Sequence, residues 1–266
     1  MAVRDDALDG LSLSLSDIAL VARVKRPVVT VWRRRSAASD LPFPAPLPTG
    51  GRQERFDAQQ VVTWLEATDR GNNPSAREDA AAFSDVGGGS SRTDDHVFYG
   101  LSALLCLGVV SGERLGELDE ARLLDLADEA DPDDEFLYTE VEELGDQITS
   151  VARYADLLAD AAFSPAEAFE TLVRSRNRGR VSVESTQALA EPARDLVARL
   201  TVALAQEAGL ATPTFVDPTQ GGGDMLVAAV DQLGEDRAAT TRTGDYDDPA
   251  SRLARRRLRV HDVLRT

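Results

Sequence analysis

The sequence predicts a mainly α-helical chain of 266 residues with an incomplete α/β unit at its carboxyl end. Three observations carry this expectation. Between residues 11 and 68, two short helix patterns meet at Arg26-Pro27, and the second closes on Arg33-Arg34-Arg35 before a proline-spaced ribbon and a third helix. From Val97 to Gly179 apolar residues recur at helical spacing. Then a short apolar strand ending at Val216 runs into Asp217-Pro218, three glycines and a helix that begins at about Asp224.

In the first part, Leu13–Ala22 reads as a helix with Ser16 or Ser14 as N-cap and Ile18 and Val21 on its inner face. Pro27 then opens a second helix, Val28–Arg35. Alternate prolines in Asp40–Pro48 enforce extended backbone, which describes a wing closed by Thr49-Gly-Gly-Arg52. Asp57 is placed to cap a third helix that turns Val61, Trp64 and Leu65 inward. Two helices, a tight turn and an arginine-tipped second helix describe a helix-turn-helix. Thr30, Arg33, Arg34 and Arg35, with Arg52 of the wing, are the candidate contacts to DNA phosphates or a major-groove edge. The alternative is a protein–protein module whose arginines solvate a helix end, where cations are favoured in any case. Trp32 and Trp64 read as core anchors rather than base-stacking groups.

Residues 69–95, polar and glycine-rich, read as a linker, and 96–182 as a helical domain. Within it, Leu137, Val141, Leu144, Ile148, Val151, Ala155, Leu158 and Ala162 predict one amphipathic helix, with Glu140, Glu142, Glu143 and Asp146 mostly on its solvated face. Ser164-Pro165 opens another helix, to about Arg176, and Arg174–Arg180 ends a helix at Gly179, meets DNA, or does both. The single cysteine, Cys106, lies in an apolar run and reads as a small core hydrophobe.

Residues 183–266 hold the strand–glycine–helix stretch. A strand that ends in an acid, glycines that let backbone approach a ligand, and a helix N-terminus with unpaired N–H groups together make a nucleotide-type pocket. A flexible glycine turn is the plainer reading. A helix at 191–208, a second strand at 238–243 and a helix at 249–260 surround it.

Asp217-Pro-Thr-Gln-Gly-Gly-Gly-Asp-Met-Leu226 resembles the first motif of adenine-N6 DNA methyltransferases of the type I modification-subunit kind. That resemblance implies a Rossmann-like domain whose loop binds S-adenosylmethionine through Asp217, Pro218, Thr219, Gly221 and Gly223. Ser185–Val197 is similar to the family's Thr-Pro-helix segment, with Gln187 at the proline position, and it implies a cofactor contact at Thr186. Thr243–His261 resembles the second strand's end and its helix, where the family places a ribose-binding acid; Tyr246 occupies the strict position, with Asp245 and Asp247 as the acids on either side. Residues 11–68 resemble the winged helix-turn-helix of excisionase and MerR-like proteins. The implied order is therefore a winged helix-turn-helix (1–68), a helical domain and the start of a methyltransferase domain whose sheet is incomplete.

The family's catalytic Asn/Asp-Pro-Pro-Tyr signature does not occur in these residues. The expectation is an N-terminal portion of a DNA adenine methyltransferase from a bacterial restriction-modification or phage-defence system, inactive alone. Its partners would be double-stranded DNA, a specificity or restriction subunit, or a second chain that completes the sheet. The alternative is a non-enzymatic DNA-binding regulator or assembly subunit with a degenerate glycine loop. A net charge of −17 argues against a wholly basic nucleic-acid binder, yet residues 1–60 carry nine Lys or Arg against seven acids. No signal peptide or membrane-spanning run is evident, so a cytoplasmic, soluble protein is expected.

Overall fold

The computed structural model describes residues 8–48, 54–86, 95–130, 135–162, 164–179, 191–210, 214–216, 223–233, 240–242 and 249–261. The fold is mainly α.

At the amino end, β1 (Ser12–Leu13) pairs antiparallel with β2 (Phe56–Asp57), and Pro46 bridges to Phe56. α1 (Leu15–Val21) starts at Ser14: its Oγ accepts from the Asp17 N–H, and its own N–H donates to the Asp17 carboxylate at 2.8 Å. This reciprocal capping box selects Ser14 over Ser16. α2 (Arg26–Ser36) has Pro27 in its first turn, where a missing N–H costs nothing. α3 (Ala58–Thr68) is capped by Asp57, which accepts from the Gln60 N–H at 2.8 Å. These elements enclose Leu13, Ile18, Val29, Phe56, Val61 and Trp64. Phe43 meets Trp64 edge-on at 5.0 Å between centroids, and the Trp64 Nε1–H donates to the Leu41 carbonyl, so Trp64 is a core anchor. Trp32 packs beside it, half-buried.

The expected linker is not a linker over most of its length. Residues 76–85 form α4 (Ala76–Asp85), which buries Ala80 and Phe83. The preceding turn is tied down as well: Asn72 N–H donates to the Ala22 carbonyl, and Asn73 Nδ2 donates to Val21 O and Asp79. The asparagines and glycine that look like linker chemistry here satisfy the carboxyl end of α1, and Gly71, at φ +98°, passes against Ala22. The remainder, 87–94, lies outside the described residues.

The helical body is built around α5 (Asp95–Ser111), which is apolar on nearly every side and correspondingly buried, Cys106 included. α6 (Glu120–Ala130), α7 (Glu135–Glu142), α8 (Ile148–Ala161) and α9 (Pro165–Gly179) pack around it. The single helix expected from Leu137 to Ala162 is two, α7 and α8, separated by a 3-10 turn at Gly145–Gln147. Gly145 adopts φ +51°, a left-handed conformation that stops the first helix. Glu140, expected on the solvated face, is buried at 4% exposure, for a reason that lies 112 residues away.

α10 (Glu191–Glu207) precedes β3 (Thr214–Val216); α11 (Asp224–Leu233) then leads to β4 (Thr240–Arg242) and α12 (Pro249–Val260). β3 and β4 are parallel, with Phe215 opposite Thr241 and Val216 opposite Arg242. Phe215, Leu226, Val227, Ala229, Val202 and Leu258 form their core. α12 faces two ways: Leu258 belongs to this small core, whereas Leu253 and Val260 join the helical body. Leu196, Leu200 and Leu204 of α10, at 56%, 56% and 64% exposure, make an apolar stripe that no described residue covers. Among the described residues no helix is long and apolar enough to cross a membrane.

Candidate functional site

Two places bring together residues singled out by the sequence. The first is the end of the β3–α11–β4 unit. Because β3 and β4 are parallel and Val216 and Arg242 are register partners, the chain leaves both strands at the same end of the sheet. In open α/β sheets ligands bind at the carboxyl ends of strands. Asp217, Pro218, Thr219 and Gly221 directly follow β3, and Asp245 and Asp247 follow β4; these six, with Thr186 and Arg52, lie outside the described residues.

Gly223 is described. It sits at φ +76°, and its carbonyl accepts from the Val227 N–H at 3.0 Å, which opens α11. A Cβ at this position would lie 2.9 Å from the Ala254 Cβ and 3.1 Å from its Cα, so α12 approaches too closely for any residue but glycine. Asp224 heads the helix, as the sequence indicates. Its carboxylate takes the Arg257 Nη1 at 2.7 Å and lies 3.7 Å from Arg194 of α10. An acid is favoured at this end of a helix dipole, and two cations flank it.

Arg257 also forks onto Glu170 of α9, whose carboxylate accepts from both Nε and Nη2. Burial opposes ionisation of Glu170, but hydrogen bonds from His261 and Arg257, with the charge of Arg257, outweigh it and bring its carboxyl down to about 2. Arg256 reaches Glu140 and Ser102, and Arg252 reaches Glu140 at 2.6 Å. Arg252, Arg256 and Arg257 of α12 thus meet acids of the chain's own helical body. Charge-assisted, bidentate pairs of this kind fix geometry as well as supplying energy. They clamp α11 and α12, and with them the strand ends, to the helical body.

The second place is the outer surface of α2. It carries no acid, and Arg26, Thr30, Arg34 and Arg35 are exposed. Arg26, Thr30 and Arg34, four residues apart, share one row. Arg33 does not belong to that row. It lies with buried Val29 and Ser36 at spacings of four and three, and its guanidinium forks onto Glu54 at 2.7 and 2.8 Å while stacking 5.5 Å from the Phe56 ring. The hydrogen bond from Arg33 holds the Glu54 carboxyl below its usual range. Arg26 and Glu54 were not apparent as site residues in the sequence; the four-residue steps from Arg26 to Thr30 and from Thr30 to Arg34 are the signal for the first, and for Glu54 there is none.

A third feature, a cleft of about 160 Å³ between α5 and α8 lined by Leu104, Gly108, Leu115 and Asp156, is below the roughly 300–1,000 Å³ of ligand pockets. Its Asp156 is engaged by the N–H groups of Leu115 and Gly116.

Comparison of the chain with family models, curated proteins and solved structures finds no match. The functional reading therefore rests on these residues and their arrangement.

Proposed function

We propose that this chain is the DNA-holding and cofactor-holding portion of an S-adenosylmethionine-dependent adenine-N6 DNA methyltransferase of a bacterial restriction-modification or phage-defence system. The observation that supports it most is the parallel β3–α11–β4 unit, with Gly223 at φ +76° starting the helix and with β3 and β4 ending at the same end of the sheet, immediately before Asp217 and before Asp245 and Asp247 in sequence. Such an end suits a ligand with an adenosine moiety and a charged amino-acid tail. Glycines allow backbone approach, a helix N-terminus offers N–H groups, and strand-end carboxylates accept from hydroxyl and ammonium groups.

Bound S-adenosylmethionine supplies the methyl group. Asp217, Thr219, Gly221 and Gly223 would hold it, Asp245 or Asp247 would accept from its ribose hydroxyls, and Thr186 would be a further contact. Thr30, Arg34 and Arg35, with Arg52, hold double-stranded DNA by its phosphates or a groove edge. The target adenine, flipped from the stack, meets an Asn/Asp-Pro-Pro-Tyr group that these 266 residues do not contain. The clamp formed by Arg257, Glu170 and Asp224 supports a positioning role for the helical body, because two bound reactants react fastest when their relative placement is fixed.

Titration calorimetry with S-adenosylmethionine, on the chain and on Asp217→Ala, tests this reading. Saturable binding that is lost in the variant is the expected result; a folded chain with no binding would sink it. The second reading, a DNA-binding regulator or assembly subunit with a degenerate loop, is favoured by the exposed acid-free row on α2. It predicts DNA binding without cofactor binding.

A further inference from the structure

The segment 40–48 and the segment 54–56 that returns to the core meet at Leu47 N–H to Arg55 O, 2.7 Å, and at the Pro46–Phe56 bridge, so they form two limbs side by side. This returning limb is held from two sides. Arg55 donates to the Ser12 carbonyl and Oγ and pairs with Asp17, which ties the limb to β1 and α1. Glu54 receives both terminal nitrogens of Arg33, which ties the same limb to α2. Phe56 lies under the Arg33 guanidinium and is itself fully buried.

We propose that Arg33 is a positioning residue that latches the wing limb to α2, and that Arg26 joins Thr30 and Arg34 as the row that touches DNA. This deepens, and rests on, the DNA-binding reading above. Three features of the geometry point the same way. Arg33 spends both terminal nitrogens on one carboxylate, so its charge is compensated and its fork is filled. It stands one turn from buried Val29 and Ser36 and is half-buried, its side chain 37% exposed, whereas Arg26 and Arg34 stand on the exposed row. Ser36 holds the other limb: its Oγ accepts from the Phe43 N–H at 3.1 Å while donating to the Trp32 carbonyl. Both limbs are therefore fastened to α2, by Arg33–Glu54 on one side and Ser36–Phe43 on the other. A lysine at 33 could carry the charge, but it lacks the planar fork that grips a carboxylate by two nitrogens.

The experiment is fluorescence anisotropy of a labelled mixed-sequence duplex across a salt series, with wild type, R26A, R33A, R33K and R34A. R26A and R34A should each lower the slope of log K against log salt by about one, as loss of a phosphate contact does. R33A and R33K should both weaken binding several-fold at every salt concentration with the wild-type slope. Hydrogen exchange without DNA should be faster at residues 54–57 in both Arg33 variants and unchanged in R34A. An R33A slope as shallow as that of R34A, R33K binding like wild type, unchanged slopes in R26A, or unaltered exchange at 54–57 would each overturn the assignment. If wild type binds no duplex, the DNA reading falls, and the exchange data alone decide whether the latch exists.

Discussion

Arg257 of α12 and Glu170 of α9 face each other fork to fork, 87 residues apart in sequence, with the arginine 3% and the glutamate 16% exposed. Arg257 extends the contact to Asp224 at the head of α11, so one guanidinium joins the helical body to both helices that flank the strand ends. Removing one partner of such a pair leaves a buried charge uncompensated, which typically costs about 3–5 kcal/mol. The shift of the Glu170 carboxyl from 4.5 to about 2 corresponds to about 3 kcal/mol at neutral pH. Glu170→Gln should therefore lower unfolding stability by about 3 kcal/mol at pH 7. A carboxyl whose folded value is depressed contributes in full above its unfolded value and loses that contribution as pH falls through the folded one. The gap between wild type and variant should thus close progressively as pH falls from 4.5 toward 2. Urea titrations at several pH values read it directly; a gap that stays open at pH 2 contradicts the linkage.

Gly223 and Gly209 offer a matched comparison. Both have positive φ, +76° and +73°, but an added Cβ meets Ala254 at Gly223 and nothing within 4 Å at Gly209. Left-handed backbone costs a non-glycine residue about 1–2 kcal/mol, and overpacking adds roughly 1–3 kcal/mol. Gly209→Ala should show only the first cost and Gly223→Ala both. Chemical denaturation of the two variants checks this, and equal losses would mean that α12 yields to the new methyl.

How legible was this architecture? What local chemistry decides was readable: the Asp57 cap, a serine cap on α1 narrowed to Ser14 or Ser16, Pro27 at a helix start, and the strand–glycine–helix order about Gly223 with a second strand after it. What distant partners decide was not. Glu140 sits on an amphipathic helix as if solvated, yet Arg252 and Arg256, 112 and 116 residues on, draw it inside. Asp79 lies in a polar stretch that resembles a linker, because its arginine partners are 56 and 74 residues away. Gly145 interrupts an otherwise unbroken apolar period, and only its left-handed φ shows that the helix stops there. Arg33 reads as one of three equal arginines until Glu54, 21 residues later, singles it out.

The leucine stripe of α10 yields a prediction of the opposite sign. Leu196, Leu200 and Leu204 are each more than half exposed, so folding gains little from them. Leu200→Glu should change unfolding free energy by no more than about 0.5 kcal/mol, as expected of a surface position. It should also reduce binding of a hydrophobic dye, since it interrupts an exposed apolar patch. A loss of several kcal/mol would mean that the stripe is packed in solution.

Asp79 joins the amino-terminal unit to the helical body. At 1% exposure it lies 3.3 Å from Arg23, in the turn after α1, and 3.4 Å from Arg153 of α8, and it accepts from Asn73 at 2.8 Å. Its two arginine partners are about one-third exposed, so water compensates them in part when the carboxylate is removed. Asp79→Ala is accordingly expected to cost about 2–3 kcal/mol, below the range for a wholly buried pair. The more telling observable is cooperativity. Phe83 of α4 stacks edge-on against Tyr154 of α8 at 4.9 Å, and Leu157 of α8 lies in the amino-terminal core, so the two parts share apolar as well as ionic contacts. Wild type should unfold in one transition followed equally by Trp32 and Trp64 fluorescence and by helical circular dichroism. In Asp79→Ala the fluorescence transition should move to lower denaturant than the dichroism transition, because both tryptophans report the amino-terminal unit and most of the helices lie outside it. Coincident transitions in the variant would show that Phe83, Tyr154 and Leu157, with the Arg23–Asp160 pair at 3.6 Å, suffice to couple the two parts without Asp79.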